Sequence, residues 1–151
     1  MKNKVYIKIK GLSLQEQAAD GSVTEETDNV EVINVGQYTN RNGKEYVRFE
    51  EVYDGADQKS MSIIKISDDS VEISRKGAIT TCMEFARNKR TISCYNTPYG
   101  SIDISIFTGV LDTKRTEGKI HITLEYTMEV NNQQMNTNRV EIEITDEKIE
   151  L

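Results

Sequence analysis

Alternation of apolar and polar residues is the feature of this sequence that most restricts its fold. The first example is near the N-terminus, where Val5, Ile7 and Ile9 alternate with tyrosine and lysine, and similar stretches recur along the chain. Successive side chains of a β-strand point to opposite faces of a sheet, so each stretch predicts a strand with one buried face. No stretch has the apolar spacing of an amphipathic helix. We therefore predict an all-β protein with about eight to ten strands.

Short turns predict that consecutive strands pair as hairpins. Asn42-Gly43 is a preferred pair for a two-residue type I′ turn, because both residues accept positive φ angles. This turn would set Tyr38 opposite Val47 and Gly36 opposite Phe49. The glycine would then lie beneath an aromatic ring, where a sheet bends.

Two further turns complete the expected pattern. A turn at Asp68-Asp69 would place Ser62 opposite Arg75. The last two strands need a three-residue loop at 131–133, or an equivalent bulge, to bring their apolar residues to one face. A succession of hairpins with one buried face favours a closed, antiparallel up-and-down barrel, because closure leaves no unpaired strand edges.

The hairpin between "ITTCMEFA" and "RTISCYN" allows two registers. A three-residue loop would put Cys82 opposite Cys94. A two-residue loop at 88–89 would instead pair Phe85 with Ile92 and place Cys94 in the core. We prefer the second register, because exposing a large apolar side chain costs ~1.5–3 kcal/mol. It predicts that Cys82 lies on the opposite, outer face.

Length and composition argue against several classes of protein. Its 151 residues fit one domain, 1–151, and contain neither a membrane-length apolar run nor a signal-peptide pattern. Two cysteines are too few for a disulfide framework, so we expect a cytoplasmic protein. The net charge of −6 argues against nucleic-acid binding, which requires a basic face.

Charge is distributed unevenly along the chain. Residues 12–34 contain six acids and no lysine or arginine, and the polar part at 12–28 predicts an acidic surface loop. Residues 87–90, with the sequence RNKR, form a basic turn. Either segment could contact a protein partner.

Several stretches in order resemble a known family. These are the "IKIKG" strand at 7–11, the "RKG" at 75–77, the "CYNTPYGS" at 94–101 and two long closing strands. Together they resemble the YwiB-like family of uncharacterised bacterial proteins. The resemblance implies a calycin-like, lipocalin-type β-barrel in a bacterial cytoplasmic protein, and it implies no activity and no site residues.

Arg75 is the first candidate for a functional residue. It continues the inward series of Val71 and Ile73, so its guanidinium would point into the barrel. An unpaired charge there would cost several kcal/mol. The side chain therefore needs an internal carboxylate such as Glu50 or Glu51, a rim position in water, or an anionic ligand.

The "TPYG" stretch at 97–100 contains the only proline of the chain. It is typical of a tight corner, and it could also form a pocket mouth lined by tyrosines. The preferred registers bring this stretch close to Arg75. The predicted ligand site accordingly consists of Arg75, Tyr95, Asn96 and Tyr99.

Two functions from different classes fit these features. The first is a carrier or sensor whose barrel holds a small anionic or amphipathic ligand. The second is an interaction module with a filled barrel, which contacts a protein through the acidic loop or the basic turn. We do not expect an enzyme, a cofactor or a metal site, since no nucleophile–base pair is evident and His121 is the single histidine. The sequence leaves the oligomeric state open.

Overall fold

The structure is a computed structural model that describes the backbone of residues 1–17, 23–52, 59–77, 80–130 and 133–148. Their side chains are described except at 12–17, 23–31, 52, 59, 97 and 134–136. Ten strands are present: β1 (Lys4–Gln17), β2 (Val23–Arg41), β3 (Lys44–Val52), β4 (Lys59–Ile66), β5 (Ser70–Lys76), β6 (Thr80–Ala86), β7 (Arg90–Thr97), β8 (Gly100–Thr116), β9 (Lys119–Val130) and β10 (Gln133–Thr145). Among the described residues there is no helix of the length and apolar character needed to span a bilayer.

The ten strands form a closed antiparallel barrel. Each strand pairs with its neighbours in the sequence, and β1 pairs with both β2 and β10. The prediction of an all-β, up-and-down barrel is confirmed. We call the end that carries the Asn42–Gly43 turn the lower end, and the end that carries the Pro98–Tyr99 turn the upper end.

The first hairpin has the predicted geometry. Asn42 and Gly43 have φ angles of 53° and 81°, so both adopt the positive values that the turn requires. Tyr38 lies opposite Val47, and Gly36 lies opposite Phe49. The turn type therefore set this register correctly.

Two other predicted registers are also confirmed. Ser62 lies opposite Arg75 in the pairing of β4 with β5. In the last hairpin Leu124 lies opposite Val140, and a bulge between 134 and 136 produces this alignment. The bulge is the alternative that apolar burial required, because it keeps both sets of apolar residues on the inner face.

The hairpin between β6 and β7 has the register that we did not prefer. Cys82 lies opposite Cys94, and both cysteines are exposed. Ile92 is exposed over 74% of its surface instead of facing Phe85 in the core. The predictions that Cys94 is a core residue and that the loop has two residues are therefore wrong, whereas Cys82 is exposed as predicted.

β7 adopts this register because it also pairs with β8. In the pairing of β7 with β8, Ser93 lies opposite Ile104 and Thr91 opposite Ile106. Ile106 is fully buried, so the face of β7 that carries Thr91 and Ser93 must also point inward. The alternate residues, Ile92 and Cys94, then point outward. β7 must turn the same face inward in its pairing with β6 and in its pairing with β8. The preferred β6–β7 register required the opposite face from the one that β8 requires.

The predicted acidic loop at 12–28 is largely strand. Residues 12–17 belong to β1 and residues 23–28 to β2, and their backbones pair with each other, as at Leu14 and Glu25. Leu14 also pairs with Thr137 of β10. Backbone pairing with two neighbours extends these strands beyond the apolar pattern, which polar composition alone could not reveal. Residues 18–22 lie outside the described residues.

The hydrophobic core occupies the lower and middle parts of the barrel. Its members point inward from most of the strands and include one aromatic pair, Phe85 and Tyr126, whose ring centroids are 4.8 Å apart. The fully buried apolar residues with the largest side chains are Phe85, Ile7, Ile64, Ile66, Ile106, Ile122, Leu124, Ile142 and Ile144. The candidate site lies in the upper half, above the aromatic pair.

Candidate functional site

Polar side chains line the interior of the upper half on strands β3 to β7. Ser62 is paired with Arg75, Arg75 with Thr81, and Thr81 with Tyr95. Directly paired residues of an antiparallel sheet point to the same face, so these four side chains form one inward-facing row. We call them the polar row.

Arg75 is bound by an internal carboxylate. Its Nη2 lies 2.9 Å from Glu51 Oε2 and 3.2 Å from Glu51 Oε1. Glu51 is one of the two partners that the sequence suggested. The guanidinium is only partly buried, whereas the carboxylate is mostly buried. The site therefore contains a balanced pair of charges near the upper end.

Three buried serines of this region, one of them in the polar row, have no hydrogen-bond partner among the described residues. Ser60, Ser62 and Ser93 are 3%, 1% and 2% exposed, and none of their hydroxyls bonds to another described residue. Buried polar groups in folded proteins are normally hydrogen-bonded, since an unsatisfied hydroxyl costs about 1–3 kcal/mol. These hydroxyls are suited to bind a polar group placed inside the barrel.

Strand β9, opposite the β4 end of the polar row, contributes two large side chains to the upper half, and Asn138 of β10 lies beside them. Strand β9 lies five steps around the barrel from β4 in either direction, and it carries Tyr126 and Met128, which are partly buried against the core. Burial raises the pKa of Tyr126 above its usual value. The upper half thus has the polar row on one side and the large side chains of Tyr126 and Met128 on the other.

Two inward-facing apolar side chains contact solvent toward the upper end of the described strands. Val32 pairs with the inward-facing Ile9, and Ile102 pairs with Tyr95 of the polar row. Both residues therefore point inward, yet they are 42% and 47% exposed. Apolar side chains that face the interior and still contact solvent make this end the candidate entrance to the interior.

The lower end is closed by a hydrogen-bonded group. The Tyr38 hydroxyl donates to Glu45 Oε2 at 2.7 Å, and Arg115 donates to Glu45 Oε1 from Nε at 3.0 Å and from Nη2 at 2.6 Å. Burial, together with the adjacent Glu45, raises the pKa of Tyr38. This group blocks access to the interior from below.

The structure brings together only half of the predicted ligand site. Arg75 and Tyr95 both face inward, on either side of Thr81. Asn96 is exposed and belongs to the outward-facing residues of β7. Tyr99 is fully exposed in the Pro98–Tyr99 turn, so neither of these two side chains lines the interior.

The "TPYG" stretch forms a corner at the upper end. Thr97 pairs with Gly100, which leaves Pro98 and Tyr99 as a two-residue turn. Gly100 has a φ of 137°, a value that side-chain-bearing residues rarely adopt. The corner fixes the register of β7 against β8, which decides the face that β7 turns inward.

Sequence analysis did not single out the serines or Glu45. The signal for both was present in the turns, because the Asn42-Gly43 register places Glu45 on the same face as Val47. The Asp68-Asp69 register likewise places Ser62 beside Arg75. A polar residue on an apolar face requires a partner, so the argument that identifies Arg75 also identifies Glu45 and Ser62.

The arginines of the basic turn bind neighbouring strands of the barrel. Arg87 donates to the Leu111 carbonyl from Nε at 2.9 Å and from Nη2 at 2.6 Å. Arg90 forms an ion pair with Glu129. These contacts tie the turn to β8 and β9. Its role as a partner-binding segment stays a prediction.

Metal-ligating side chains are not grouped in the part of the chain that the structure describes, where no three His, Cys, Asp or Glu residues could hold an ion. His121 lies on the outer surface, beside Lys8, Lys10 and Glu141.

Comparison with known proteins gives a consistent assignment. A family model described as a domain of unknown function, DUF1934, matches residues 12–142. The chain is 29% identical over 116 residues to the uncharacterized beta-barrel protein YwiB of Bacillus subtilis (strain 168), covering 75% of this chain and 80% of that protein. The crystal structure of ywiB protein from Bacillus subtilis superposes with a TM-score of 0.76 at 21% identity, covering 97% of this chain and 93% of that one.

Proposed function

Because the chain belongs to the DUF1934 family, as its resemblance to YwiB-like proteins predicted, and this domain has no known function, we propose a function from the barrel itself. We propose that it binds one small amphipathic ligand in its upper half and acts as a carrier or sensor. Lipocalins use a barrel interior in this way. The calycin-like character and a cytoplasmic location are parts of the same proposal.

The buried serine hydroxyls are the observation that carries this proposal. Ser60, Ser62 and Ser93 are almost inaccessible, and no described residue bonds to their hydroxyls. A fully packed barrel would gain by having alanine or valine at such positions, since an unsatisfied buried hydroxyl is destabilising. A ligand with oxygen acceptors would satisfy them.

Charge and shape indicate the chemistry of the ligand. An anionic head group would bind Arg75 in competition with Glu51, and the serines would donate to its oxygens. Its apolar part would pack on Tyr126 and Met128 across the barrel. The closed lower end and the Phe85–Tyr126 pair limit the depth, so a short apolar chain fits better than a long one. We propose binding without catalysis, because these residues serve as donors, charges or apolar surface.

Ligand binding can be tested with an anionic aromatic dye, anilinonaphthalene sulfonate, and with fatty acids of graded length as competitors. We expect saturable dye fluorescence at one site per chain, and displacement by the shorter acids. Native mass spectrometry of freshly purified protein would detect a ligand carried through purification. A clean apo mass with no saturable binding of any probe would contradict the proposal.

A charge-neutral double variant tests the site itself. Arg75→Met combined with Glu51→Gln removes both charges without leaving either buried and unpaired. We expect affinity for anionic probes to fall about tenfold or more, because a charge-assisted contact is lost. Lys76→Met is the matched control, since it removes one positive charge from an exposed position on the same strand. Equal losses in the two variants would place the dye outside the barrel.

A further inference from the structure

The two cysteines lie side by side on the outer face of the barrel. Cys82 of β6 is paired with Cys94 of β7, and both are free and exposed. The same row continues on either side, where Ser74 pairs with Cys82 and Asp103 pairs with Cys94. The thiols therefore point to the same face and are accessible from solvent.

We propose that Cys82 and Cys94 are a modification site, a dithiol that closes to an intramolecular disulfide by exchange with a low-molecular-weight disulfide. This site is separate from the proposed ligand site, because its side chains are on the outer face and the polar row faces inward.

Backbone geometry permits the bond. Directly opposite residues in an antiparallel pair have Cα atoms about 4.5–5.5 Å apart, and disulfides accept about 4.4–6.8 Å. Their Cβ atoms are about 4.5–5.5 Å apart, whereas a disulfide prefers about 3.5–4.5 Å. A small approach of the two strands is therefore needed. The resulting bond would be readily reduced, as strained and exposed disulfides are.

The two cysteines are the last regularly paired residues of these strands toward the lower turn. The ladder between β6 and β7 runs through Thr80–Cys82 and Cys94–Asn96, and in the described residues 83–86 and 90–93 it does not continue toward the lower turn. There the Thr91 hydroxyl donates to the Glu84 carbonyl. The cysteines stand where regular pairing ends, so a disulfide would fasten the two strands at this point.

The reaction is a balanced two-electron exchange. One protein thiolate attacks the small disulfide, which forms a mixed disulfide and releases one small thiol after protonation. The second protein thiolate attacks the protein sulfur of the mixed disulfide and releases the second small thiol. The two cysteines are oxidised, and the small disulfide is reduced to two thiols.

Neighbouring carboxylates favour a cationic reagent. Glu72 Oε1 lies 3.6 Å from the Cys82 sulfur, and Asp103 Oδ1 lies 3.7 Å from the Cys94 sulfur. Burial raises the pKa of Cys82, and the Glu72 charge raises it further, while the Ser74 hydroxyl acts in the opposite direction. Negative charge around both sulfurs repels anionic disulfides and attracts cationic ones.

The test treats the reduced full-length protein with cystamine, a cationic disulfide, and separately with anionic oxidised glutathione. We expect the intact mass to fall by two hydrogen atoms and both thiols to become unreactive toward Ellman's reagent, with dithiothreitol restoring them. Cystamine should react about tenfold faster than glutathione disulfide at low salt, because the two carboxylates attract the cationic reagent and repel the anionic one. Glu72→Gln with Asp103→Asn should reduce this preference.

Single variants identify the mechanism. Cys82→Ser and Cys94→Ser each change an exposed side chain and should fold, and each should stop at a stable mixed disulfide. Three outcomes would overturn the proposal. These are a wild-type protein that keeps two small adducts, one that remains reduced, and one that forms only dimers linked between chains.

Discussion

Arg115 of β8 and Glu45 of β3 form an ion pair across the lower end of the barrel. Their strands lie five steps apart around the barrel in either direction, so the contact spans its diameter. Arg115 Nη2 is 2.6 Å from Glu45 Oε1, and the glutamate side chain is only 9% exposed. The pair joins two parts of the chain that no hairpin connects.

Replacing Arg115 with methionine should destabilise the protein by about 2 kcal/mol, because the buried Glu45 carboxylate would lose its positively charged partner and be left with the neutral Tyr38 hydroxyl as a donor. Arg115 itself is 48% exposed, so the cost should be below that of breaking a wholly buried pair. Urea unfolding measures the change. Arg139→Met is the control, since the partners of Arg139 are themselves partly exposed, and it should cost under about 1 kcal/mol. Equal losses of unfolding free energy in the two variants would contradict a role of Arg115 in stabilising the closed lower end.

The Tyr38–Glu45 contact predicts a loss of stability at alkaline pH. Burial and Glu45 raise the pKa of Tyr38 in the folded protein above its ordinary value of 10.0. The unfolded tyrosine therefore ionises first, so this stabilisation is complete below pH 10.0 and declines as the pH rises further. Tyr38→Phe should make the decline of the unfolding free energy shallower. An unchanged slope in that variant would show that Tyr38 does not contribute.

Gly36→Ala should destabilise the barrel by about 1–3 kcal/mol through overpacking. A Cβ at this position would lie 2.5 Å from the Arg48 carbonyl oxygen and 2.7 Å from Ile7 Cδ1. The carbonyl belongs to the paired backbone of β3 and cannot move without disturbing the ladder. Gly11→Ala is the matched control, because a Cβ there meets nothing within 4 Å. Thermal unfolding should separate the two variants, and similar melting temperatures would be inconsistent with this explanation.

Ile92→Ala tests the register between β6 and β7. With 74% of its surface exposed, Ile92 should change stability by no more than about 0.5 kcal/mol when shortened. Ile106→Ala should cost about 2–5 kcal/mol, since Ile106 is fully buried. If chemical unfolding gave Ile92→Ala a cost of that size, Ile92 would be a core residue and the other register would be correct.

Apolar alternation and turn residues were enough to predict the barrel class and three of the four hairpin registers predicted from the sequence. Period-two alternation identified the inward faces, and local turns such as Asn42–Gly43 fixed the pairing of the strands that they join. A shift of the register by one residue would expose the whole apolar face of a strand. Burial therefore selects one register wherever the apolar alternation of the strand is clear. The same logic placed Arg75 inside and suggested Glu51 as a partner.

Features that depend on two or more distant segments follow only from the folded barrel. β7 turns Ser93 inward because the buried isoleucine of β8 outweighs Ile92, a competition that neither hairpin shows alone. Glu45 meets Arg115 only after the barrel has closed. The exposure of the inward-facing Ile102 likewise depends on how far the neighbouring strands extend at the upper end of the barrel. Local sequence specifies a side chain's face through the two-residue period, whereas its partners and its exposure follow from closure of the whole sheet.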